Sequence, residues 1–254
     1  MCLNRLSAAW IIFTALSVVG VATAASLNER RERIRGMETK ASPDALQRKT
    51  RSETALRAEA VPVNKSLPAI ESEREAKRRS TDEIAYRALA LLLVAVKGEG
   101  LEQPIVEKVV KEYGLDPYFT PKERAFLRNK SPSQHDRVQF TWRYEAAWTL
   151  LWALGYVEKL EKPTASCDVP RAVKFMRERS TKQFVAGAKL RPLSQILDEA
   201  DRIYRYHWAV VDARINGRPP PANLEPGVTL ERHYALNWLI GYMGQDWDDI
   251  STDT

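Results

Sequence analysis

The chain has 254 residues, 44 % of them hydrophobic and 28 % charged, with 39 Lys+Arg against 33 Asp+Glu and a formal net charge of +6. These are the proportions of a globular protein. The basic excess lies early: residues 25–80 hold 14 Lys+Arg and 9 Asp+Glu, whereas 81–254 hold 24 of each, so the body is neutral and a nucleic-acid-binding body is excluded.

Residues 1–24 read as a secretory signal peptide: Arg5, an apolar run from Ala8 to Val21, then Ala22-Thr23-Ala24 with a cut after Ala24. That run is shorter than the roughly 20 residues a spanning helix needs. The expected location is periplasmic or secreted; an uncleaved anchor over 6–24 is the alternative. Cys2 leaves with the leader, so Cys167 is alone in the mature chain and reads as a small buried hydrophobe. Residues 25–80 contain no Phe, Trp or Tyr and few aliphatics, which predicts a flexible or partly helical basic linker. Weak contact with an anionic envelope surface is one use for it.

From residue 81 onward, helix signals are dense and no period-2 alternation is sustained. Ser80-Thr81-Asp82-Glu83 is a capping box before the apolar run Ile84 to Val96. A helix over 102–113 follows, stopped by Gly114. Thr120-Pro121-Lys122-Glu123 starts another. Further helices are expected over 137–154, 170–187, 194–215 and 229–243. The fold class is all-α, an irregular helical bundle in a single domain over 81–254.

The 194–215 helix has two faces. Ile196, Leu197, Ala200, Ile203, Tyr204, Val210 and Val211 form a core stripe with His207 in its middle. Asp198, Asp201, Arg205 and Trp208 lie opposite, either as a solvated face or as a groove where another element or a ligand docks. Arg143, at the edge of an apolar face, needs a carboxylate partner. Asn237, in the last helix, must satisfy its amide. Asp248 and Asp249 belong to an acidic tail in which Trp247 and Ile250 imply packing; its carboxylates are expected to answer Arg143, Arg205 or Arg232. Glu231, Arg232 and His233 complete the candidate polar site.

No phosphate-binding loop, dinucleotide fingerprint, His-Glu-x-x-His or nucleophile elbow is present, and Asp198-Glu199-Ala200-Asp201 spells a helicase signature without the loop and sheet that would give it meaning. His135, His207 and His233 lack the Glu-x-x-His spacing of a di-iron bundle. No cofactor is expected.

Several motifs come in order: Thr-Pro-Lys-Glu-Arg-Ala-Phe-Leu at 120–127, Trp-Arg-Tyr-Glu-Ala at 142–146, Leu-Leu-Trp-Ala-Leu-Gly at 150–155, Leu-Arg-Pro-Leu-Ser-Gln-Ile-Leu-Asp-Glu-Ala-Asp at 190–201, Tyr-Arg-Tyr-His-Trp-Ala at 204–209, Glu-Arg-His-Tyr-Ala-Leu-Asn-Trp-Leu at 231–239 and Trp-Asp-Asp-Ile-Ser-Thr-Asp-Thr at 247–254. In these the chain resembles the bacterial family called domain of unknown function 4272, over about 81–254. The resemblance implies the helical class and the boundary and brings no catalytic residues. The leading expectation is a non-enzymatic binding or interaction module for a protein or small ligand. The alternative is a hydrolase-type enzyme, metal-dependent or not, using His207 or His233 with Asp or Glu partners.

Overall fold

Ser80 starts the central helix. Its hydroxyl accepts from the Glu83 amide while the Glu83 carboxylate accepts from the Ser80 amide, closing both ends of the capping box. In the computed structural model, which describes Glu32 and residues 41–254, the helices are α1 (Pro43–Ala58), α2 (Thr81–Glu99), α3 (Gln103–Tyr113), α4 (Pro121–Arg128), α5 (Gln134–Thr141), α6 (Arg143–Ala153), α7 (Val169–Arg177), α8 (Thr181–Gly187), α9 (Leu193–Ile215) and α10 (Pro226–Ile240). Among the described residues there is no strand, as the absence of alternating patterns predicts.

Helix α2 is buried on nearly all sides from Ile84 to Ala95, because its apolar run is too wide for one stripe. It packs on α5 and α6; α6 packs on α10, α10 on α9, and α9 on α1. Where α2 crosses α5 the backbones nearly touch. A Cβ on Gly98 would lie 2.6 Å from Thr141 Oγ1 and 2.8 Å from the Arg137 carbonyl, so this position requires glycine.

Two expected long helices are each divided. The 137–154 segment is α5 and α6 meeting at Trp142, where the Glu145 amide bonds the Trp142 carbonyl three residues back at 3.0 Å and tightens the turn. The 170–187 segment is α7 and α8, because Ser180-Thr181-Lys182-Gln183 is a further capping box that restarts the helix.

The linker expected through residue 80 is corrected from residue 41 onward. Residues 41–254 form one compact unit. Helix α1 buries Ala45, Arg48, Ser52, Glu53 and Leu56, a helical stripe at spacings of three and four that carries charge where apolar residues are usual. The segment after it tucks in Val61, Leu67 and Ala69. It then runs beside the end of α10, with the Lys77 and Arg79 amides bonding the Ile240 and Leu239 carbonyls. The expected signal peptide and the linker up to residue 40 lie outside the described residues, apart from Glu32. No described helix is long and apolar enough to cross a membrane.

Candidate functional site

The polar stripe of α9 is a joint within the chain. The Arg205 guanidinium forks onto the Asp201 carboxylate, with Nε at 2.9 Å and Nη2 at 2.8 Å, and Nη2 also donates to the Pro68 carbonyl at 3.1 Å. Glu53 of α1 stands 3.7 Å from Arg205 Nη1. Asp201 is 0 % exposed and Arg205 2 %. At the edge, Asp198 takes Arg51 at 2.6 Å and Arg48 at 3.3 Å. Farther along, the Tyr206 hydroxyl donates to Glu59 at 2.6 Å. Trp208 is half-buried against the core. Of the two readings of this stripe, a groove in which another element docks holds, and the element is the chain's own α1.

His207 and His233 face each other across the α9–α10 contact with their Nδ1 atoms 2.9 Å apart. One ring must donate and the other accept, so the two cannot both be protonated on the facing nitrogens. Burial, with Arg214 adding to it, pushes His207 down to about 4; burial and His207 hold His233 well below the ordinary imidazole value. Both therefore sit neutral in the core near pH 7, with the ring of Tyr204 tilted against His233.

Asp248 and Asp249 are not the acids that answer the three arginines. Arg143 Nη1 donates to both oxygens of Glu231 at 3.0 Å and lies over the Tyr234 ring. Arg205 has Asp201 and Glu53, and Arg232 pairs with Glu145 at 3.6 Å while donating to the Glu161 carbonyl at 2.6 Å. Helix geometry explains the difference: each cation finds an acid on its own or an adjoining helix before the tail arrives. Asp248 instead accepts from the Lys122 amide at 3.2 Å, in the first turn of α4, and Asp249 is exposed. The tail is held by Trp247, buried against the edges of Tyr234 and Trp238 and beneath the Arg87 guanidinium. Asn237 donates to the Ser251 carbonyl at 2.8 Å, which satisfies its amide. Among the described residues no group of three or more His, Cys, Asp or Glu is placed to hold a metal.

The open chemistry lies elsewhere. A cleft of about 520 Å³ opens between the end of α2, α5, the α5–α6 junction and the start of α7. Glu99, Arg137, Trp142, Tyr144 and Glu145 line it. The buried Tyr144 hydroxyl donates to Glu99 at 2.7 Å; burial and this bond raise its pKa, which keeps it a donor. Glu145 is buried, with Oε1 accepting from the Cys167 amide and Oε2 carrying no hydrogen bond. The Trp142 ring is set against the first turn of α10, where a Cβ on Gly227 would approach it to 2.5 Å. On the far side of the 164–168 loop a second recess of about 420 Å³ is lined by Cys167, Arg171 and Arg232. The Cys167 thiol is pushed up by burial and by Glu145, so it stays protonated and unreactive.

Reasoning from faces missed all five, Glu99, Arg137, Trp142, Tyr144 and Glu145, as site residues. The signal was present in Trp-Arg-Tyr-Glu-Ala at 142–146, where aromatic and charged residues alternate at what proves to be a helix junction.

Among curated proteins and solved structures nothing matches. A family model matches residues 48–250, which takes in most of α1 and so begins well before residue 81. The chain belongs to the family described as Domain of unknown function (DUF4272).

Proposed function

We propose that this protein is a non-enzymatic binding module, exported by its N-terminal leader, that holds a small ligand in the cleft between α2, α5 and α6. The observation that carries this reading is the convergence of two buried side chains, Tyr144 and Glu145, with Glu99, Arg137 and Trp142 on one open cleft of about 520 Å³. That volume is in the range of small-molecule sites, and a few polar groups on a fixed apolar wall are what such sites use. Against the hydrolase alternative weighs the use of His207 and His233 as each other's hydrogen-bond partners in the core.

Thermal denaturation of the full chain in the presence of a small-metabolite library tests the proposal, with Val138→Trp as the blocked control. Val138 lines the cleft and is 42 % exposed, so a larger ring there fills the mouth without disturbing the core. Compounds that raise the melting temperature of the natural chain and not of Val138→Trp support the cleft. Shifts of equal size in both proteins, or none in either, overturn it.

A further inference from the structure

Resting on that reading of the cleft, we infer that its ligand is a small zwitterion of the amino-acid type: an ammonium, a carboxylate and an apolar side chain on one carbon. Two opposite charges line this one cleft without an ion pair. The Glu99 carboxylate has the Tyr144 hydroxyl as its hydrogen-bond partner, and no carboxylate among the described residues lies within 4.0 Å of the Arg137 guanidinium. They come from different elements, the last residue of α2 and the middle of α5. Two such groups ask for a ligand that carries both signs.

The surroundings orient it. The 19-residue α2 is capped at Gly100, against which the Arg137 guanidinium already lies, so what the α2 side offers a ligand is the Glu99 carboxylate. The buried Glu145 lies in the same cleft, and its Oε2 carries no hydrogen bond, being 3.6 Å from Arg232 Nε, which carries none either. That oxygen is closed off against Arg232, so of the two carboxylates it is the exposed Glu99 that accepts from an ammonium. The α5 side of the cleft has Arg137, whose planar fork suits a carboxylate, and Gln134. Between them stand Trp142, Val138 and Val169, a wall that takes an apolar side chain; Gly227 holds the Trp142 ring in place before any ligand arrives. The ammonium therefore lies toward Glu99 and the carboxylate toward Arg137.

Titration calorimetry on the full chain tests this with L-phenylalanine and L-leucine as probes, each compared with its decarboxylated form (phenethylamine, isopentylamine) and its deaminated form (hydrocinnamate, isocaproate). At least one amino acid should bind about tenfold or more tighter than both of its truncated forms, since each lost group forfeits a charge-assisted contact. Arg137→Gln should erase the preference over the amine, and Glu99→Gln the preference over the acid. Gln at 99 can still accept from the Tyr144 hydroxyl and Arg137 is only half-buried, so melting temperatures should change little. An amino acid that binds no tighter than its amine or its acid, or preferences that survive in both variants, overturns the inference. If none of the six compounds binds while library compounds still distinguish the natural chain from Val138→Trp, the ligand class is wrong and the cleft stands. If nothing binds at all, both readings fall.

Discussion

Replacing Arg205 by Met removes the cation on which the α1–α9 joint turns. The change leaves Asp201, which is 0 % exposed, without its partner in a dry contact, while Glu53, 7 % exposed, keeps Arg57 at 2.9 Å. Breaking a buried pair by removing one member costs about 3–5 kcal/mol, because the remaining charge keeps its desolvation penalty. For a domain of this size about 1 kcal/mol corresponds to roughly 2–4 °C, so the melting temperature should fall by roughly 6–20 °C. Differential scanning calorimetry at neutral pH measures it. The triple variant Arg205→Met, Asp201→Leu, Glu53→Leu is the control. With all three charges gone the middle of the joint becomes apolar while Arg48 keeps Asp198 at its edge, and stability should return to within about 1 kcal/mol of the natural chain. A single-variant loss under about 1 kcal/mol would mean that water reaches these carboxylates, and the account of α1 as a docked element would be wrong.

Stability should also depend on acid through the histidine pair. His207 titrates near 6.5 in the unfolded chain and at about 4 when folded, so the unfolded state binds the extra proton in that window. Stability is complete above pH 6.5 and declines as pH falls towards 4, with a slope of up to about 1.4 kcal/mol per pH unit from His207; His233 adds in the same direction. Urea melts at a series of pH values, compared with His207→Phe, should show the slope flattened in the variant, and equal slopes would refute the assignment. Gly98→Ala should cost about 1–3 kcal/mol by overpacking, because the new methyl meets Thr141 Oγ1 and the Arg137 carbonyl inside 3 Å with backbone on the far side; an unchanged urea midpoint would show that α2 and α5 are farther apart than described.

How far the sequence speaks depends on how local the cause is. The capping boxes at Ser80 and Thr120 are bonds between residues three apart, and both helices begin where those residues place them. Trp247 signalled that the tail packs, and it does. The α1 docking was not legible, because its stripe is made of Arg48, Ser52 and Glu53, which read as solvated until Asp198, Asp201 and Arg205 are known to face them. Composition counts such residues as evidence for a tether, and only the partner helix turns them into an interface. The partner of Arg143 was missed for a similar reason: Glu231 is 88 positions away, and nothing in the helical wheel of either element points to the other. The cleft was not legible because its walls come from the end of α2 and from residues 166–169 as well as from α5 and α6, and the wheel of one helix does not show what faces it.

The polar joint also bears on what happens when the chain is partly open. A helix held by grease exposes a sticky stripe each time it lifts, and such openings are where association between chains begins. Lifting α1 instead uncovers Arg48, Ser52 and Glu53 on one side and Asp198, Asp201 and Arg205 on the other, groups that water accepts, with Ala45 and Leu56 as the apolar part of its buried stripe. An opening of this kind leaves the chain soluble and free to close again, so the joint trades strength of hold for reversibility.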